Sequence, residues 1–136
     1  MLNDWRVYTD AIGTERTHVA WHEALKEIAL LNGVDRTLVH AAYGDHVDLV
    51  VAGGNNGKGL VQWKEHDPER HFVLSANEEN GVMTSLTIEK EEIPFPASWC
   101  LPLEQVIAVC GDLLRTCEKG EGSQWKWVEI AVQPGM

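Results

Sequence analysis

The chain has 136 residues and a mass of 15.2 kDa, enough for one self-sufficient core and too little for two domains. Apolar residues at 44% and charged residues at 24% are ordinary globular values, which excludes wholesale disorder and fibrous classes. Twenty-one acids against eleven bases give a net charge of -10, which argues against general affinity for nucleic acid or anionic membrane and for a basic macromolecular partner.

The start, Met1-Leu2-Asn3-Asp4-Trp5-Arg6, lacks the basic-then-apolar order of a signal peptide, and no window reaches the roughly 20 apolar residues of a spanning helix. The expected location is cytoplasmic. Cys100, Cys110 and Cys117 are odd in number, and two lie at helical spacing, so they read as reduced packing residues.

In chain order, 5–9 alternates and is rich in strand formers. Residues 17–31 read as a helix, with Trp21, Leu25, Ile28 and Leu31 on one face and Gly33 as stop signal. Short apolar or alternating runs at 38–43, 47–51, 60–63, 71–74 and 82–88 follow, with connections too short for crossover helices, which predicts an antiparallel meander. A second helix begins at Pro102 with Glu104 in its first turn. Its apolar set is Leu103, Val106, Ile107, Cys110, Leu113, Leu114 and Cys117, ended by Gly120 and Gly122. A last strand lies in 124–132. The order β-α-β-β-β-β-β-α-β predicts a single α+β domain over 1–136: an antiparallel sheet of about five to seven strands, with two main helices on one face.

Candidate chemistry is thin. Gly53-Gly54-Asn55-Asn56-Gly57-Lys58-Gly59 hints at a phosphate loop, but Ala52 and Gly59 occupy the places of its first glycine and its hydroxyl residue, and a strand follows where a helix is needed. A hairpin turn is the expected structure. His18 and His22 are four apart, spacing that can hold zinc on one helix face; Val19 stands where glutamate would follow, and no third ligand is marked. A solvated pair explains them, as it does His66 and His71. No Gly-x-Ser-x-Gly elbow exists, so no catalytic, cofactor or metal residue is assigned.

Two features remain. Glu65, Asp67, Glu69, Glu78, Glu79, Glu89, Glu91 and Glu92 are opposed between Glu65 and Glu92 only by Arg70 and Lys90. On turns and strand ends they would form a continuous negative surface that steers a cationic partner, or a solvated face that keeps the chain soluble. Six tryptophans stand at 5, 21, 63, 99, 125 and 127; Trp21 and Trp127 are core by periodicity, while Trp63 and Trp99 are candidate interface anchors.

The stretch Ile93-Pro94-Phe95-Pro96-Ala97-Ser98-Trp99-Cys100-Leu101-Pro102-Leu103-Glu104 resembles the first-numbered family of immunity proteins of bacterial polymorphic toxin systems. Leu101-Pro102-Leu103-Glu104 matches that family's proline-led helix opening, and Trp127 its C-terminal strand tryptophan. Leu49-Val50-Val51-Ala52-Gly53-Gly54 and Gly59-Leu60-Val61-Gln62-Trp63 resemble its strand pair around a glycine turn. The resemblance implies a cytoplasmic antidote that occludes the basic active cleft of a cognate toxin domain, often one that acts on nucleic acid, through exposed acids and an aromatic anchor. Rival readings are an acidic, dimeric secretion chaperone and a small metal-dependent enzyme using His18 and His22.

Overall fold

The computed structural model describes residues 3–78 and 81–132. The strands are β1 (Trp5–Thr9), β2 (Glu15–Val19), β3 (Leu38–Tyr43), β4 (Val47–Gly53), β5 (Lys58–His66), β6 (Glu69–Ala76), β7 (Met83–Ile88), β8 (Glu91–Pro96), β9 (Leu101–Pro102) and β10 (Trp125–Ile130). Helix α1 is Trp21–Ala29 and α2 is Leu103–Thr116. The main sheet runs β10-β6-β5-β4-β3-β1-β2, every pair antiparallel, with β9 added on β5; β7 and β8 form a separate hairpin. The fold is α+β as expected, and the meander β3-β4-β5-β6 is present, but the strands outnumber the expected five to seven.

The three extra strands were hidden for physical reasons. Residues 17–19 lie in β2 and not in the expected helix, because Val19 pairs with Trp5 across a hairpin and His18 has φ 56, a left-handed value that a helix cannot contain. Strand β8 carries Pro94 and Pro96, which mask a strand in the sequence yet are tolerated in a two-stranded ribbon whose outer edge needs no donors. Strand β9 has two residues. Helix α2 ends at Cys117, whose left-handed φ of 59 lets its N–H reach Leu113 O at 2.7 Å; the cap is not one of the glycines that follow.

Alternation sorts the sheet into two faces. Val47, Leu49 and Val51 of β4, Val61 and Trp63 of β5, and Phe72 and Leu74 of β6 share one buried cluster with Ala24 and Ile28 of α1 and Val106, Cys110, Leu113 and Leu114 of α2. Trp5 is fully buried there, and its Nε1 donates to Leu114 O at 3.0 Å, so β1 satisfies a carbonyl in the last turn of α2. On the opposite face Leu60 and Val73 pack with Leu86 and Cys100, and the β7–β8 hairpin covers this half of the sheet. The other half of that face carries Asp48, Lys64, His66 and the buried His71.

Candidate functional site

The acidic residues of the central run do not make one surface. Glu65, Asp67 and Glu69 sit where β5 turns into β6, beside the start of β4, since Val47 pairs with Glu65. Glu89 sits at the tip of the β7–β8 hairpin, where its N–H donates to Thr37 Oγ1 at 2.8 Å beside the start of β3. Strand β4 runs between these ends, and its seven residues put them about 20 Å apart. Glu91 and Glu92 are exposed on β8, Glu78 is exposed just past β6, and Glu79 lies outside the described residues. The expected continuous negative surface is therefore split between the two strand ends.

Of the two candidate anchors, Trp63 is fully buried beneath the helices and its Nε1 donates to Glu65 Oε2 at 3.1 Å; it is a core residue and offers no surface to a partner. Trp99 is half-buried. It packs on the Leu60, Val73, Leu86 and Cys100 cluster and lines an apolar crevice of about 160 Å³ with Leu38, Val50, Phe95 and Ile130.

The turn at Asp67 belongs to a row of titratable groups that the sequence did not link: His66 and His71, expected as a solvated pair, are instead partly buried and buried, His71 being 3% exposed. His66 Nε2 lies 3.0 Å from Asp48 Oδ2 and its Nδ1 2.9 Å from Glu69 Oε1, while Glu69 Oε2 lies 2.7 Å from His71 Nε2. His40 Nε2, buried and without a hydrogen-bond partner, stands 3.7 Å from Asp48 Oδ2. The row links β3, β4, β5 and β6 on the face of the sheet opposite the helices. Its signal in the sequence is an isolated polar residue on one face of each strand, legible only once the registers Asp48↔Lys64 and Lys64↔His71 are known.

Both ring nitrogens of His66 face carboxylates, and only the protonated ring donates to both. The hydrogen bond to Glu69 raises the His66 pKa, burial opposes it, and Asp48 adds to the rise. Glu69 is correspondingly held low by His66 and then His71. For Asp48 burial pushes upward, but the imidazoles of His40 and His66 outweigh it and hold the carboxyl below its ordinary value. The row thus favours the protonated form of His66 and ties four strands together. Among the described residues no group of three or more His, Cys, Asp or Glu is arranged to hold a metal ion.

His18 and His22 do not share a helix face, contrary to the spacing argument. His18 is in β2 with Nδ1 2.6 Å from Asp4 Oδ1, and His22 is in the first turn of α1, edge-on to Trp21. The thiols are unreactive in character: burial raises Cys100 with Lys58 opposing, raises Cys110 far beyond the thiol range, and with Glu118 pushes Cys117 up to about 11.

At the opposite end three turns are cross-linked through Thr37, itself buried. The Asp10 carboxylate accepts from Thr37 N at 3.0 Å, Leu38 N at 3.1 Å and Thr37 Oγ1, and that hydroxyl in turn accepts from Glu89 N. Beside it, Asn32 Oδ1 accepts from the N–H groups of Val34, Asp35 and Arg36 at 2.8–3.2 Å. The Gly53-Gly54 pair is explained here and not by phosphate: Gly54 has φ 103, and a Cβ on it would stand 2.5 Å from Asn32 N and 2.6 Å from Leu31 C. The glycine-rich segment is a β4–β5 hairpin turn against which the 31–33 backbone packs.

Compared with known protein families, with curated proteins and with solved structures, the chain matches none of them. Among the described residues, no helix is long and apolar enough to cross a membrane.

Proposed function

We propose that this chain is a binding protein that neutralises a basic protein domain by covering its active cleft, in the manner of a cytoplasmic immunity protein paired with a nucleic-acid-targeting toxin. The observation that carries the reading is the distribution of the charge excess: Asp67, Glu89, Glu91 and Glu92 are exposed and form no ion pair among the described residues. Unpaired surface carboxylates speed encounter with a cationic cleft, and that cleft must be basic if it holds phosphates. The resemblance at Leu101-Pro102-Leu103-Glu104 and Trp127 supports the toxin-antidote form of the idea.

The test is purification of the chain together with the product of its adjacent gene. A stoichiometric complex at about 0.05 M salt that weakens steeply by about 0.5 M is expected, because the Debye length falls several-fold over that range. A complex indifferent to salt, or none, overturns the reading.

A further inference from the structure

We infer that Asn56 is a site of spontaneous deamidation, in which the Gly57 nitrogen and then water convert its side-chain amide into a carboxylate, and that the fold shields Asn32, which stands in the same dipeptide.

Asn-Gly occurs at 32–33, 56–57 and 80–81, and Asn80 lies outside the described residues. Glycine has no side chain to obstruct an attack by its own nitrogen, so this dipeptide reacts wherever its backbone is free to turn. In the reaction the Gly57 nitrogen attacks Asn56 Cγ. An N–Cγ bond forms, the Cγ–Nδ2 bond breaks, and the backbone amide proton leaves with Nδ2 as ammonia. Water then adds to one of the two carbonyls of the cyclic imide and opens it to aspartate or, with the main chain rerouted through Cγ, to isoaspartate. No other reactant is needed.

The two described pairs differ at every atom that takes part. Asn56 is exposed, has left-handed backbone at φ 55 and ψ 30, and its side chain makes no hydrogen bond among the described residues. Gly57 is exposed as well, and a Cβ on it would meet nothing within 4 Å. Its N–H donates to Gly54 O at 3.1 Å, so turning that nitrogen toward Cγ breaks a single hydrogen bond. Asn32 is held on both side-chain atoms: Oδ1 accepts from Val34, Asp35 and Arg36, and Nδ2 donates to Asp35 Oδ1 at 2.8 Å. Gly33 is buried, its N–H donates to Arg36 O at 3.3 Å, and a Cβ on it would stand 2.7 Å from Asn55 N, so its peptide has no room to swing.

Asn55 shares the exposed turn but not the reactivity. Its Nδ2 donates to Thr87 Oγ1 and its Oδ1 accepts from Thr87 N, each at 2.9 Å, and the residue after it is not glycine. Conversion of Asn56 would add a carboxylate to the β4–β5 turn, and the isoaspartate form would lengthen its main chain by a methylene beside the Asn55–Thr87 contacts that tie the turn to β7.

The test is tryptic peptide mapping of the full chain after incubation at mildly alkaline pH, folded and, in parallel, in denaturing urea. Arg36 lies between the first two pairs and Lys58 between the last two, so each is read on its own peptide. In the folded chain the 37–58 peptide should acquire the mass gain of NH2 exchanged for OH at least about tenfold faster than the 27–36 peptide, because the Asn32 network must open first. In urea the two rates should converge to within about threefold, since both pairs are then unstructured. Asn56→Gln, whose longer side chain would have to close a larger ring, should abolish the gain on 37–58. A folded chain in which Asn32 reacts as fast as Asn56, a 37–58 peptide that stays intact when folded yet reacts in urea, or a gain that survives Asn56→Gln each overturn the inference.

Discussion

Where β5 turns into β6, Glu65 holds Lys119, Glu69 holds two histidines, Asp48 holds His66, and Glu129 of the edge strand holds Arg70. At the far end of the same strands, Asp10 and Asn32 spend their oxygens on backbone N–H groups, Asp35 Oδ1 accepts from Asn32 Nδ2 at 2.8 Å, and Glu89 forms no ion pair among the described residues. Composition treats all these acids alike. The contrast teaches that a charge excess becomes informative only when internally neutralised carboxylates are separated from free ones: the first end is knitted side chain to side chain, the second is braced through its backbone.

The largest expected effect lies in that bracing. Gly54→Ala must both adopt φ 103 and push a methyl into the 31–33 backbone, and should cost about 3 kcal/mol in urea unfolding. Gly44→Ala, in the β3–β4 turn at the first end, shares a positive φ of 56 but would meet only the ring of His46 at 3.3 Å, and should cost about 1 kcal/mol. Equal costs would show that backbone packing at Gly54 is unimportant.

Thr37→Val comes next. The substitution keeps the buried volume and deletes the hydroxyl shared by Asp10 and Glu89, leaving the Glu89 N–H without its acceptor. A loss of about 2 kcal/mol is expected, with faster amide exchange in 10–14 and 88–91 and unchanged exchange in 64–71. Exchange that quickens evenly over both ends would mean that the three turns are not a unit.

The titrating end should respond to pH instead. A histidine whose folded pKa is raised contributes stability that is fully present below its unfolded value of about 6.5 and is lost as pH rises through the folded value. Asp48 and Glu69, held low, contribute stability present above the ordinary carboxylate value of about 4 and lost as pH falls through their folded values. Between these limits the row is at its strongest, so the parent should be more stable at pH 6 than at pH 8. His66→Gln should flatten that difference, and a pH slope unchanged in the variant would separate His66 from the effect.

These differences also explain what the sequence made legible. The runs at 38–43, 47–51, 60–63 and 71–74 were readable because their apolar residues are local signals, as was the heptad-like rhythm of α2. Residues 17–19 misled because Trp21, Leu25 and Ile28 set up a genuine helical face, nothing local marks its start, and only the distant pairing of Val19 with Trp5 stops it. The site was harder. Whether Glu69 or Glu89 is free depends on partners at 66, 71 and 37 that strand register brings near, and periodicity holds no information about which turns share an end of the sheet. Trp63, expected as an anchor, is core because it alternates onto the helix-covered face, and Glu65 turns back to accept from its indole.

The smallest effect should come from the most conspicuous ion pair. Arg70 meets Glu129 through two contacts, Nε to Oε2 at 3.0 Å and Nη2 to Oε1 at 2.9 Å, and so joins β6 to the edge strand β10. Both side chains are about half exposed, at 48% and 49%, so water competes for each charge and salt screens what remains. Glu129→Gln should leave the urea midpoint unchanged within error, since the six-residue register from Trp125↔Ala76 to Ile130↔His71 already fixes β10. Arg70→Ala should be felt more than Glu129→Gln, because the guanidinium also lies 5.0 Å from the centroid of the Phe72 ring and its stem covers apolar surface. If instead the two substitutions cost the same, charge pairing rather than packing would be what Arg70 contributes, and the paired end would be more strongly held by its ions than its exposure allows.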